Sequence, residues 1–220
     1  MLKDTRTTAM PPDIYTEPDL DPDTLRNLGP LRGLAGVWLG EHGVDLHPTA
    51  DGPREDRFVE RYELVPIDPQ TSGPQLFYGL RYHTHITKPG EVAMFHEQVG
   101  YWLWEPATGA VLLTLAIPRG EVAMARGRAT ADARRFTLTA ELGSETAGII
   151  SNPFLDQAFR TTAFTITVTT DGPTWSYEQT TTLAIRGRAE PFLHTDRNTL
   201  RRVAPPAPNP LAGNGTGRGA

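Results

Sequence analysis

Cysteine is absent from the 220 residues, which excludes disulfides, thiolate nucleophiles and Cys-ligated metal. No stretch approaches the roughly 18 consecutive apolar residues that a membrane-spanning helix needs. The opening Met1-Leu2-Lys3-Asp4-Thr5-Arg6 leads into acidic, proline-rich sequence without the apolar segment of a secretion signal. A basic excess is missing too. The 21 Lys and Arg stand against 26 Asp and Glu, a formal charge of −5, so neither nucleic acid nor an anionic membrane is an expected partner. These absences make a soluble cytoplasmic protein the default expectation.

Helical periodicity is nearly absent, and short β-favouring runs recur in its place. Strands are expected near residues 35–46, 57–66, 76–87, 93–105, 110–118, 121–128, 135–142, 161–170, 174–186 and 192–203. The run from Phe95 to Trp104 is the most telling, because it is rich in aromatics and stops at the turn sequence Pro106-Ala107-Thr108-Gly109. Pro118-Arg119-Gly120 and Asp171-Gly172-Pro173 mark further hairpins. In 163–169 Phe164, Ile166 and Val168 alternate with Thr165, Thr167 and Thr169, the pattern of a wall buried on one side. Short helical turns are expected at 23–28, plugging one end, and after Asn152, with Pro153 in the first helical position. About ten strands joined by short turns remove their exposed edges by closing. The expected class is therefore all-β, an antiparallel up-and-down barrel of about ten strands with one or two short helical turns, calycin-like. Such a barrel is wide enough for a small ligand. It should span 28–203, between a mobile N-terminal tail (1–27) and a disordered C-terminal tail (204–220) too poor in apolar residues to offset ordering entropy.

Histidines are the main chemical candidates. His83 and His85 share one strand face and, with Glu91, offer a metal-dependent enzyme reading. The favoured reading turns them to solvent with Arg81, opposite Leu80, Tyr82 and Ile86. His96 and Glu97 are adjacent, so a strand points them to opposite faces. Glu97 shares its face with Phe95, Val99, Tyr101 and Leu103, more apolar than the face of His96, Gln98, Gly100 and Trp102. An inward Glu97 would need Arg81 or Arg160 as partner, more a brace than a catalyst. His194 lies in the last strand, within reach of the first if the barrel closes; a surface imidazole beside Asp196 and a ligand role are both open. A carrier of a fatty acid or other apolar ligand is a further reading, with Arg160 and Tyr82 or Tyr177 gripping the carboxylate. Gly33-Leu34-Ala35-Gly36 opens a strand and not a helix, so it is no dinucleotide fingerprint.

Several segments in order resemble the nitrobindin family, haem-binding barrels shaped like fatty-acid-binding proteins. Gly36-Val37-Trp38-Leu39-Gly40, then Gly43 and Pro48-Thr49, resembles the family's Gly-x-Trp-x-Gly…Pro-Thr first strand. Phe95-His96-Glu97-Gln98-Val99-Gly100-Tyr101, the hairpin Ala116-Ile117-Pro118-Arg119-Gly120 and the closing Asn198-Thr199-Leu200-Arg201-Arg202 continue the match. The resemblance implies a ten-stranded barrel holding one haem b, with a last-strand histidine as axial iron ligand. It implies binding of nitric oxide and isomerisation of peroxynitrite to nitrate if haem is bound, and no enzymatic role otherwise. Carried over, His194 becomes the iron ligand, with Pro48 and Thr49 as pocket neighbours. Aligned on Leu200, the ligand position falls on Thr195, one residue after His194, and a one-residue slip turns a side chain to the other face. The resemblance also allows homodimerisation through an exposed strand face.

Overall fold

A computed structural model describes residues 13–214. Its strands are β1 (Gly36–Thr49), β2 (Gly52–Pro66), β3 (Gln70–Ser72), β4 (Gln75–Thr87), β5 (Met94–Glu105), β6 (Ala110–Ile117), β7 (Glu121–Arg128), β8 (Arg135–Glu141), β9 (Ile149–Ser151), β10 (Phe159–Asp171), β11 (Thr174–Ile185) and β12 (Phe192–Ala204). Helical elements are limited to α1 (Thr24–Asn27), a 3₁₀ helix (Gly29–Leu34), α2 (Pro153–Ala158) and α3 (Pro210–Gly213). All strands but β3 and β9 pair antiparallel in the order β2-β1-β12-β11-β10-β8-β7-β6-β5-β4, and β2 pairs with β4 to close the ring. This is the ten-stranded barrel expected from the sequence, and its ten strands are the ten expected runs. Gly109, Gly120 and Gly172 take positive φ at the hairpins read from the turn signals, where a side chain would be strained.

The barrel has a packed end and an open end. The 3₁₀ helix caps the packed end and buries Pro30, Leu31 and Leu34. Trp38 of β1 lies directly above it and donates its indole N–H to the Leu34 carbonyl at 2.7 Å. Aromatic side chains then run across the interior. Trp38 and Trp175 meet edge-on at 6.4 Å, Trp175 and Tyr62 at 5.2 Å, and Tyr62 lies 5.3 Å from Tyr82. Trp102 continues the chain to Phe136 and donates to the Tyr62 hydroxyl at 3.2 Å. At the plug, the Arg202 guanidinium covers the Trp38 ring at 4.6 Å and reaches the Gly33 carbonyl. Truncating any one of the three fully buried tryptophans would cost about 3–5 kcal/mol.

The segments expected as tails depart from that expectation. Residues 1–12 and 215–220 lie outside the described residues, but 20–27 pack on the barrel and Asn209 anchors the segment after β12. Asp23 caps α1, Thr24 is fully buried and the Asp21 N–H reaches the Tyr78 hydroxyl. The buried Asn209 ties the segments before β1 and after β12 together and to the barrel: its side-chain Oδ1 accepts from Thr24 N, and its Nδ2 donates to Pro22 O and Asp68 Oδ1. Polar side chains supply this anchoring, so a reading of apolar content alone passes over it. Asn209→Ala should therefore destabilise the protein by about 1–3 kcal/mol through unpaired buried groups, read from urea unfolding; an unchanged midpoint would show the C-terminal strap to be energetically idle.

Candidate functional site

At the open end the interior turns polar, and a bulge in β1 is the cause. Up to Gly40 the inward residues are Trp38 and Gly40, opposite Tyr62 and Glu60 of β2. Between Gly40 and Gly43 the register shifts by one residue against both β2 and β12. An extra residue in one strand reverses the facing of everything beyond it, so Gly43, Asp45 and His47 now point inward. Across the seam β12 alternates without interruption, and Leu200, Asn198, Asp196 and His194 share the inner face. Asp45 pairs directly with Asp196.

Four of these side chains form one connected group. His194 Nε2 lies 2.8 Å from Asp45 Oδ1 and 3.6 Å from Asp196 Oδ2. His47 Nδ1 is 3.0 Å from the other oxygen of Asp45, and Gln179 of β11 donates to Asp196 at 3.0 Å. Burial alone would lower the pKa of His194, but hydrogen bonds and charge from Asp196 and Asp45 outweigh it and push it up to about 10. Asp45 is the mirror case: burial raises it, and the two histidines bring it net below its usual value. One tier deeper Glu60 is buried. It accepts from Thr84 Oγ1 at 2.8 Å, Tyr177 Oη at 2.8 Å and Asn198 Nδ2 at 3.0 Å, and burial still raises its pKa. Gly40 makes room for this arrangement, since a Cβ there would come within 2.3 Å of the Asn198 amide. Against this polar wall stand Leu115, Ile117, Ala123, Ile149 and Phe164 from β6, β7, β9 and β10, all in the apolar core or packed on it.

The sequence candidates separate on the structure. His194 faces the barrel interior and Thr195 the outside, because β12 keeps strict alternation from Leu200. Pro48 and Thr49 stand at the same rim; Pro48 pairs with Pro53, and the Thr49 hydroxyl closes the hairpin on Gly52 O at 2.7 Å. Glu97 is a correction. Trp102 and Trp104 are the buried residues of β5, so His96, Gln98 and Gly100 share their inward face, while Val99 and Tyr101 are exposed. Glu97 sits on the outer wall, 2.8 Å from His83, where the pair braces β4 against β5. His83 and His85 face outward as favoured, and no cluster forms with Glu91. Among the described residues the one group of metal-type donors within 4.8 Å of one another is Asp45, His194 and Asp196. The carboxylate clamp of Arg160 with Tyr82 or Tyr177 is also corrected. Arg160 is exposed and paired with Asp156 at 2.8 Å, Tyr82 accepts from Gln98 and Tyr177 is committed to Glu60. Sequence reasoning missed Asp45, Glu60 and the inward His96; the His194-x-Asp196 spacing was the one signal available for the group.

A model of the "THAP4-like, heme-binding beta-barrel domain" family matches residues 27–202, nearly the whole barrel. The chain belongs to this haem-binding nitrobindin family. Among solved structures it is similar to Rv2717c from M. tuberculosis, with a TM-score of 0.57 and 24% identity over 84% of this chain and 99% of that one. That likeness concerns the fold. No curated protein matches.

The family's cofactor, haem, fits the donor set at the open end. Carboxylates hold the Nε2–H of His194, and Nδ1 has no protein hydrogen bond among the described residues. A metal at Nδ1 would leave Asp45 and Asp196 behind the ring, where carboxylates commonly orient a metal-bound imidazole, whereas a metal at Nε2 would displace them. Ligation requires the second ring proton of the imidazolium to leave.

The raised pKa of His194 makes stability pH-dependent. Its contribution is fully present below the unfolded value near 6.5 and is lost as pH rises toward about 10. In haem-free protein, the melting-temperature advantage of the natural chain over His194→Gln should shrink steadily between those limits. A constant difference across this window would mean that His194 carries no carboxylate-held proton.

Proposed function

We propose that this chain holds haem b at the open end of the barrel with His194 as axial ligand, and that the loaded protein binds nitric oxide or isomerises peroxynitrite to nitrate. The observation that carries this reading is the inward, carboxylate-anchored imidazole of His194 at the mouth of a barrel whose family binds haem. Leu115, Ile117, Ala123, Ile149 and Phe164 offer the apolar wall a porphyrin face needs, and the Pro48–Thr49 hairpin borders the same opening.

When bound, haem supplies a Lewis-acidic iron able to take small nitrogen–oxygen species. The chain's own residues do the rest. The aromatic floor and the 3₁₀ plug exclude water from below. Asp45 and Asp196 fix the plane and the tautomer of His194. His96, which burial holds below its usual pKa, presents a neutral imidazole to the mouth. In an uncharged state it can donate or accept one hydrogen bond without repelling a ligand.

Titration of the purified chain with hemin, followed by absorbance, tests the reading. A Soret band saturating at one haem per chain is expected, with affinity at least tenfold weaker in His194→Ala and faster peroxynitrite decay for the loaded natural chain than for free hemin. Equal affinity of the two proteins would remove His194 as ligand.

A further inference from the structure

We infer that Asp45, Asp196 and the Nε2 atom of His194 form a site for one non-haem divalent cation of the zinc type in the haem-free chain. The inference goes beyond the haem reading and does not depend on it. Its basis is a pair of short motifs of opposite order, Asp45-x-His47 on β1 and His194-x-Asp196 on β12. Asp45 pairs with Asp196, and the same register sets His47 beside His194, so the seam carries two carboxylates and two imidazoles on its inner face. Asp45 also pairs with Asp56 of β2, which places three aspartates side by side across β2, β1 and β12. Like charges directly opposite one another oppose strand pairing unless positive charge lies between them. Asp56 has Arg54 at 2.9 Å and Lys88 at 4.0 Å. Asp45 and Asp196 have no Lys or Arg within 4.0 Å among the described residues, and only histidines stand in that place.

The geometry suits a small cation. His194 Nε2 faces Asp45 Oδ1 at 2.8 Å and Asp196 Oδ2 at 3.6 Å, and one donor atom from each residue lies within 4.8 Å of the others. Ligand atoms held at about 2.1 Å by a tetrahedral zinc lie roughly 3.4 Å from one another, so the observed separations bracket what the ion needs. The carboxylates are already aimed. His47 Nδ1 holds the far oxygen of Asp45 at 3.0 Å, and Gln179 donates to Asp196 at 3.0 Å. That is the one hydrogen bond Asp196 accepts from outside the His194 pairing among the described residues, whereas Glu60 accepts three. With side chains only 12% and 16% exposed, Asp45 and Asp196 are short of both water and donors. An imidazole nitrogen between two carboxylates selects a first-row ion such as zinc over magnesium or calcium, which favour oxygen alone. Such an ion takes the place of the shared proton and leaves the three side chains where they are. Haem iron on Nε2 would displace the carboxylates, so the two metals exclude one another at that nitrogen.

Calorimetric titration of the haem-free, full-length chain with zinc chloride tests the site, beside Asp45→Asn, Asp196→Asn, His194→Gln and, on the outer wall, His85→Gln. One zinc per chain is expected, with affinity weaker by about tenfold or more in the first three variants and unchanged in His85→Gln. Cobalt(II) reports the donor set of the natural chain without any substitution. It should give the intense visible band of a four- or five-coordinate ion in place of the faint one of hexaaqua cobalt. That faint spectrum would overturn the site, as would zinc affinity that survives in both asparagine variants or that falls in His85→Gln alone. These titrations contain no haem, so their failure leaves the haem reading standing. Absence of a His194-dependent Soret band in the hemin titration would remove the haem reading and leave the cation site in place.

Discussion

The shift of register in β1 between Gly40 and Gly43 is the constraint on which the interior depends. Below it, the strand buries Trp38 against the plug and leaves a glycine-sized space through which Asn198 reaches Glu60. Above it, the same strand turns Asp45 and His47 inward. With this sequence, an unbulged β1 would keep Trp38 inward and turn Asp45 and His47 outward, because a two-residue period fixes which residues share a face. The barrel spends one residue to carry two chemistries on a single wall.

Polarity therefore rises in tiers from the packed end to the open end. The aromatic chain from Trp38 to Phe136 makes few polar demands: Trp38 donates to backbone, Trp102 to Tyr62, Tyr82 accepts from Gln98, and the buried Trp175 Nε1 has no hydrogen-bond partner among the described residues. Glu60 occupies the middle tier, where three donors converge on it. The mouth carries the carboxylate–histidine row on β1 and β12 and an apolar wall on the opposite strands. An amphipathic opening above a rigid floor suits a flat, largely apolar cofactor that needs one well-oriented ligand, and it leaves the floor to supply stability while the mouth supplies chemistry. Membership of a haem-binding family is consistent with that division, since fold alone would not specify it.

Much of this was legible in the residues. Alternation in the run 163–169, the aromatic run ending at Trp104 and the glycine hairpins located all ten barrel strands, because those signals are local and the steric rules behind them act over a few residues. The family resemblance, carried by Gly36-Val37-Trp38-Leu39-Gly40 and the closing strand, led to haem. Glu97 and the terminal segments were misread for opposite reasons. The face of Glu97 looked more apolar by count, but two tryptophans bury more area than Val99 and Tyr101 together offer, and area decides which face turns in. The C-terminal strap looked unable to pack because one buried asparagine, not a stripe of apolar side chains, anchors it.

The sequence by itself determined the class of fold, the number of strands and the candidacy of His194, since each follows from short-range periodicity or from ordered motifs. Only the tertiary structure decided which way His194 faces and what surrounds it. Its partners, Asp45 and Asp196, come from strands at opposite ends of the chain, joined when the ring closes. Their meeting also requires a one-residue bulge that local sequence does not announce. A contact across 149 residues, phased by a single inserted residue, becomes visible when the seam between β1 and β12 is formed.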